Sequence, residues 1–255
     1  MIKLNYKKCG VCNAHNAYFL FEEIIGEDES LTNILLCKNC SVLRNIQGSD
    51  DVQKGFFEIY FSTTDGDFEY LKKTIDELII MIDYFYPKYS TLSTTVNNKT
   101  FLDVGCGQGL LSIAALKYGF DKVISVDINT ETMKDVINIL KANDYIESVN
   151  LSNLHIYDSM QSVTKKCDCV FMWHVLEHIE NPLDFLLNYV IPILNKEAVL
   201  FIQIPLYRKK YVERVHHYFF NKPSVSFLME SCGLIIIDFI YDHTNEFLTI
   251  ISKYE

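Results

Sequence analysis

From Gly105 onward, glycine takes every second place in Phe101-Leu102-Asp103-Val104-Gly105-Cys106-Gly107-Gln108-Gly109. An apolar run enters this turn, an apolar helix-compatible stretch from Leu110 to Tyr118 leaves it, and a second apolar run, Lys122 to Val126, ends at Asp127. That order is a strand–turn–helix–strand unit, and it commits the chain to an α/β layout with a ligand-facing loop. Glycine reaches positive φ without strain and leaves room for a ligand beside the backbone. An acid at the tip of the next strand, about 20 residues on, is the usual partner of ribose hydroxyls. The spacing separates two kinds of ligand. A dinucleotide loop reads G-x-G-x-x-G, whereas this one reads G-x-G-x-G and has Leu110 where the third glycine would stand. That glycine lets the helix begin close to the strand and hold a pyrophosphate, so its absence argues against NAD and FAD.

Asp103, Gly105, Gly107 and Gly109 match the pattern (D/E)-x-G-x-G-x-G. At these residues the chain resembles the class I S-adenosylmethionine (SAM)-dependent methyltransferases, over about residues 99–255. The resemblance implies that Gly105, Cys106, Gly107 and Gly109 form the cofactor loop and that Asp103 faces the methionine end of SAM. Asp127 would hold the ribose hydroxyls and Ile128 would pack on the adenine. Asp158, after Leu154-His155-Ile156-Tyr157, reads either as the acid that accepts from the adenine amine or as the N-cap of the next turn.

Cys9 and Cys12 form one C-x-x-C, and Cys37 and Cys40 form another, across a 24-residue spacer. In an intracellular chain two such knuckles read as a tetrahedral zinc site, and four cysteines leave no open position, so the zinc is structural. Gly10 and Asn39 fall inside the knuckles, where tight turns are expected. Neither pair lies in a βαβ pattern, which argues against a redox motif. Zinc modules precede the catalytic domain in several methyltransferase groups.

The formal net charge of −10 opposes broad binding to a phosphate backbone, and Arg208-Lys209-Lys210 is short enough to be a solvated loop. Hydrophobic residues at 49% and charged residues at 22% describe a globular protein with a substantial core. No apolar run reaches the length of a membrane span, and Met1 to Lys8 carries no apolar core of a signal peptide, so a cytoplasmic location is expected.

Three regions follow: a zinc-ribbon-like module over residues 1–47, a helical bridge over 48–99, and the methyltransferase domain over 100–255. The ribbon contains an acidic turn, Glu27-Asp28-Glu29. The bridge carries a helix from Asp67 to Tyr86, ended by Pro87, and then a polar stretch over 90–99. Strands are expected at 100–104, 122–127, 151–156, 168–173, 197–203, 234–241 and 246–253. Helices are expected at 108–118, 130–142, 182–194 and 223–232. The first five strands alternate with helices, which predicts a doubly wound, mostly parallel sheet. The last two are joined by a turn too short for a crossover, which predicts an antiparallel hairpin.

The fourth of these strands runs into Trp173-His174-Val175-Leu176-Glu177-His178. H-x-x-E-H is also the inverted zincin motif, but that motif belongs inside a helix and this one follows a strand. The segment resembles instead the "hvLEHi" run of many small-molecule methyltransferases. By that resemblance Trp173 and His174 lie near SAM, and Glu177 and His178 point toward the acceptor. Some families with this run hold Mg²⁺ on the Glu–His pair, but two ligands are too few to assign a metal. Glu213-Arg214-Val215-His216-His217-Tyr218 resembles an acceptor-cleft segment of the same group, including sugar C-methyltransferases, with His216 at the matching position. The candidate catalytic residues are therefore Glu177, His178, His216 and His217, with a histidine as general base. The expected reaction is in-line methyl transfer from SAM to a small-molecule acceptor, such as a sugar or sugar nucleotide. Two rival readings are a ribosomal-RNA methyltransferase carrying a zinc module, opposed by the charge, and a non-catalytic binding module, opposed by the intact glycine loop.

Overall fold

A computed structural model describes residues 8–15, 18–25, 31–46, 68–90 and 96–255. The acidic turn at Glu27–Glu29, residues 48–67 of the bridge and the polar positions 91–95 lie outside the described residues.

The larger sheet has seven strands: β4 (Thr100–Val104), β5 (Lys122–Val126), β6 (Leu154–Tyr157), β7 (Cys167–Trp173), β8 (Leu194–Pro205), β10 (Leu234–Tyr241) and β11 (Phe247–Tyr254). Their order across the sheet is β10-β11-β8-β7-β4-β5-β6. β4 pairs in parallel with both β5 and β7, β5 with β6, and β7 with β8, while β11 runs antiparallel to β8 and β10. The expected mostly parallel sheet with an antiparallel hairpin is thus the observed one. The chain reverses direction across the sheet at β4, so a crevice opens beyond the carboxyl ends of β4, β5 and β7.

Alternation along the strands splits the core into two layers. Phe101, Phe171 and Phe201 face α1 (Phe68–Tyr89), α2 (Leu110–Tyr118) and α3 (Glu131–Ala142), where Ile75, Tyr86, Ile113 and Val136 are buried against them. Leu102, Met172 and Ile202 face the opposite layer, which contains Leu183 of α4 (Pro182–Phe185) and Val225 of α5 (Lys222–Ser231). Among the boundaries that differ from expectation, three have a clear local cause. α1 runs two residues beyond Pro87, because proline forfeits only its own donor and Ser90 N still reaches Tyr86 O at 2.8 Å. Residues 151–153 form a 3₁₀ turn capped by Asn150, so β6 starts at Leu154. The expected helix at 182–194 stays α-helical only through Phe185 and widens into a π-turn over Leu186–Val190, and the Ile191–Ile193 turn holding Pro192 closes it.

The cysteine module is a second sheet. β1 (Tyr18–Ile25), β2 (Leu31–Cys37) and β3 (Leu43–Asn45) pair antiparallel, and β9 (Tyr218–Phe219) from the distant part of the chain adds to β3. Each knuckle closes with a main-chain bond, Asn13 N to Cys9 O at 2.8 Å and Ser41 N to Cys37 O at 2.9 Å. The left-handed residues are Asn13 and Ser41, not Gly10 or Asn39. Gly10 serves space instead. A Cβ there would lie 2.4 Å from Glu180 O and 2.5 Å from the Tyr218 hydroxyl. No helix among the described residues is long and apolar enough to cross a membrane.

Candidate active site

A cavity of about 740 Å³ opens at the switch point of the sheet. Gly105 after β4, Asp127 and Ile128 after β5, and Asp158 after β6 line one end. Trp173, His174, Glu177 and His178 after β7, with Tyr211, Glu213, His216 and Phe247, line the other.

Asp127 is positioned by the glycine loop itself. Gly107 N donates to one carboxylate oxygen at 2.8 Å and Asn129 N to the other at 2.9 Å, which fixes the plane of the carboxylate at the cavity edge. Burial raises its pKa, and these two donors oppose the rise. Gly105 and Gly109 hold positive φ of 69° and 74°. The space a Cβ would need is filled by protein: Val175 Cγ2 would lie 2.4 Å from one at Gly105, and Met133 Cγ 2.5 Å from one at Gly109. So these two glycines let the exit of β7 and α3 close on the loop. Ile128 is 65% exposed at the rim. Ser159 takes the capping role, accepting from Gln161 N at 3.2 Å, and Asp158 stays on the cavity wall.

Asp103 sits elsewhere. It points into the α1–α3 layer, 3% exposed, and accepts from Ser112 Oγ at 2.6 Å, which in turn accepts from Ser125 Oγ at 2.6 Å. Burial pushes its pKa up to about 7, against the Ser112 donor and with help from the Asp127 charge. Asp103, Cys106, Gly107 and Gly109 therefore support the loop from behind, and the cavity wall at β4 is Val104 and Gly105.

The opposite end is nitrogen-rich. Glu177 lies in a 3₁₀ turn, Leu176–His178, and is 0% exposed. Neither carboxylate oxygen has a hydrogen-bond partner in the described structure, and His174 Nδ1 lies 3.5 Å from one of them. His178 Nδ1 lies 2.8 Å from Val215 O and His216 Nδ1 lies 2.6 Å from Tyr211 O. A carbonyl only accepts, so each Nδ1 carries the proton and each Nε2 the lone pair. The two rings are 4.7 Å apart. Burial pushes His178 down to about 4 despite the Glu177 carboxylate beside it. Burial alone would raise Glu177, but His174, His178 and His216 around it outweigh that and lower its pKa. His217, a sequence candidate, is not on the cavity wall. It is 2% exposed, its N–H donates to Glu177 O at 2.9 Å, and its carbonyl accepts from Asn45 N at 2.9 Å. His174 has positive φ of 55° and its ring stands edge-on to Phe247 at 4.8 Å.

Met160, Tyr189, Tyr211, Glu213 and Phe247 also line the cavity and were not singled out from sequence. Only Glu213 and Tyr211 carried a signal, their place just upstream of the paired histidines.

Outside the cavity lining, the four ribbon thiols converge. Cys9 and Cys40 sulfurs are 3.9 Å apart and Cys12 and Cys37 sulfurs 3.7 Å apart. Thiolates about 2.3 Å from one zinc ion stand roughly 3.8 Å from one another, so the donor set and its spacing fit that ion. A hydrogen bond from Cys40 holds the Cys9 thiol low, at about 5, and burial pushes Cys37 up to about 11.

A family model described as a methyltransferase domain matches residues 80–231. Among curated proteins, the ubiquinone biosynthesis O-methyltransferase of Rickettsia bellii is 27% identical over 135 residues, covering 52% of this chain and 53% of that protein. The ribosomal protein L11 methyltransferase of Legionella pneumophila is 42% identical over 53 residues, covering 21% of this chain and 18% of that protein. The chain spans about half or less of the length of these relatives. Among solved structures, magnesium protoporphyrin IX methyltransferase from Synechocystis with bound SAH superposes with a TM-score of 0.59 at 15% identity, over 80% of this chain and 99% of that one.

Proposed function

Because the chain belongs to the methyltransferase-domain family, we propose that it transfers the methyl group of SAM to a small-molecule acceptor held in the same cavity. The observation that carries this reading is the polarity of that cavity. Asp127, braced by two backbone donors, stands at one end, and the Glu177–His178–His216 group stands at the other. Asp127 holds the ribose hydroxyls, and Gly105, Ile128, Asp158, Trp173 and His174 surround the rest of the cofactor. Bound SAM supplies an activated methyl group on a sulfonium. The chain's own residues hold the acceptor in line with it and keep water out, and such positioning is a large part of the rate. Nε2 of His178 or His216 is the basic nitrogen nearest an acceptor entering past Tyr211 and Glu213. Asp103, Cys106, Gly107 and Gly109 shape the loop, and His217 positions the acceptor wall through its main chain.

An acceptor of sugar or sugar-nucleotide size suits a half-open cavity of this volume. The acidic net charge disfavours RNA. Zinc on Cys9, Cys12, Cys37 and Cys40 is structural, with all four ligands supplied by the protein. The test is calorimetry with SAM, followed by transfer of labelled methyl from SAM into a small-molecule extract, total RNA and total protein in parallel. Asp127→Ala should weaken SAM binding by at least tenfold. Unchanged binding in that variant, or label found only in RNA or protein, overturns the reading.

A further inference from the structure

Four carboxylates line the cavity, Asp127 and Asp158 at one end and Glu177 and Glu213 at the other, and among the described residues no lysine or arginine lines it. The basic run Arg208-Lys209-Lys210 stops one residue short of the wall at Tyr211. Its charges are engaged elsewhere: Lys210 Nζ donates to Glu246 at 2.6 Å, and Arg208 donates to Tyr207 O and Asn245 O at 3.0 Å each. A second observation is independent of this composition. Glu177 is 0% exposed, and neither of its carboxylate oxygens accepts a hydrogen bond in the described structure. Burial opposes its charge, but His174, His178 and His216 outweigh that and keep it ionised. A buried anion short of donors is costly, so a ligand that brings an N–H to it is strongly favoured.

We propose that the methyl acceptor is an unphosphorylated small-molecule amine whose nitrogen donates to the Glu177 carboxylate. The proposal rests on the methyltransferase reading and narrows it by charge. A phosphate at this end, that of a sugar nucleotide included, would meet Glu177 and Glu213 with no lysine or arginine on the wall to offset them. An amine brings the charge that the wall lacks.

The sign of the charge that develops also separates nitrogen from oxygen. A hydroxyl acceptor approaches the oxyanion before it attacks, and that charge would grow beside two carboxylates. An amine attacks neutral and becomes positive as its new bond forms, so the same carboxylates stabilise the transition state more than the ground state. The amine enters as its ammonium and gives one proton to the imidazole of His216, which brings a ring nitrogen within 4.8 Å of a Glu177 oxygen. The freed lone pair attacks the methyl carbon of SAM. The N–C bond forms, the C–S bond breaks, and its electron pair returns to sulfur, leaving a neutral thioether and a methylated ammonium.

The full zinc-loaded chain is incubated with SAM carrying a ¹³C methyl and with a small-molecule extract uniformly labelled with ¹⁵N. The product's methyl carbon should show one-bond coupling to nitrogen. Acylating the extract's amines beforehand should abolish transfer, and phosphatase treatment should leave it unchanged. A labelled product without nitrogen coupling, transfer that survives acylation, or transfer lost on phosphatase treatment overturns the amine. Glu177→Gln removes the charge and keeps the shape. It should slow transfer at low extract concentration by about tenfold or more, with the Kd for SAM within about twofold. A folded variant that transfers as fast as wild type or faster also overturns it. Should the variant fail to fold, the nitrogen coupling in wild type decides alone. SAM calorimetry on the same sample separates the two readings. SAM binding with label on oxygen or carbon refutes only the amine, absence of SAM binding refutes the methyltransferase reading, and SAM binding with no small-molecule product overturns both.

Discussion

Arg44 on β3 donates from Nη1 to the Tyr218 hydroxyl at 2.6 Å, and that hydroxyl donates onward to Glu180 O at 2.9 Å. The relay crosses from the cysteine module to the turn that follows Glu177 and His178. Arg44 also pairs with the Glu180 carboxylate at 3.7 Å, and its guanidinium lies 5.2 Å from the Tyr218 ring centre. One residue along, Asn45 Nδ2 donates to Glu213 O at 2.8 Å and Asn45 N to His217 O at 2.9 Å. The ribbon therefore holds both ends of the segment that carries His216.

Tyr218→Phe keeps the ring and deletes the relay. Hydrogen bonds to charged groups contribute roughly 1.5–3 kcal/mol, so the variant should lose about that much stability. The cavity wall carrying Glu177 and His216, not the Asp127 end, rests on this contact. Acceptor KM should rise several-fold while the Kd for SAM stays within about twofold. Equal loss at both ligands would show that the relay supports the whole fold and does not set the acceptor wall.

Zinc removal should reach the same segment through β9. Extracting the metal leaves three buried thiols and one half-buried one with no shared cation, and a site of this kind contributes folding free energy directly. Chelation, or Cys40→Ser, should release about one zinc ion per chain. Hydrogen exchange should then quicken at Leu43–Asn45 and Tyr218–Phe219 together, with β4 and β5 still protected. Exchange that quickens in β3 but not in β9 would separate the ribbon from the acceptor wall.

Much of this was legible because its signals are local. The glycine loop, Asp127 and the two C-x-x-C knuckles each fit within one short stretch, and the strand–helix alternation fixed the parallel sheet. Asp103 stands off the cavity wall, and a signal for its direction existed. It lies between Leu102 and Val104, which face the α4–α5 layer, so strand alternation turns it the other way, toward Ser112. The pairing of β9 with β3 joins residues far apart in sequence, and a two-residue strand has no periodicity to read. Phe247 and Met160 reach the cavity only because of where β11 begins and β6 ends, which is a property of the assembled sheet.

Gly109 and Met133 provide a steric test of the loop. Gly109→Ala must hold φ near 74° with a Cβ 2.5 Å from Met133 Cγ. Backbone strain and overpacking each cost about 1–3 kcal/mol. The steric part should vanish in a Met133→Ala background, although that change alone costs roughly 2–5 kcal/mol by opening a cavity. A double-mutant cycle by urea unfolding should therefore give a favourable coupling above about 1 kcal/mol. Additive costs would mean that α3 yields freely and the glycine answers only to φ.

Asp103 supplies a pH signature. Its carboxyl titrates at about 7 in the folded chain against 3.8 in the unfolded one, because burial disfavours the anion. Between those values the folded state holds the proton more tightly than the unfolded state. The stabilisation is fully present below pH 3.8 and is lost as pH rises through about 7. The slope is at most about 1.4 kcal/mol per pH unit. Asp103→Asn removes this titration and keeps an oxygen to accept from Ser112. In urea unfolding without SAM, the stability difference between variant and wild type should grow in the variant's favour from pH 5 to pH 7 and level off above. A difference that stays constant over that range would mean that Asp103 is ionised in the folded chain and that its burial is compensated by groups other than Ser112.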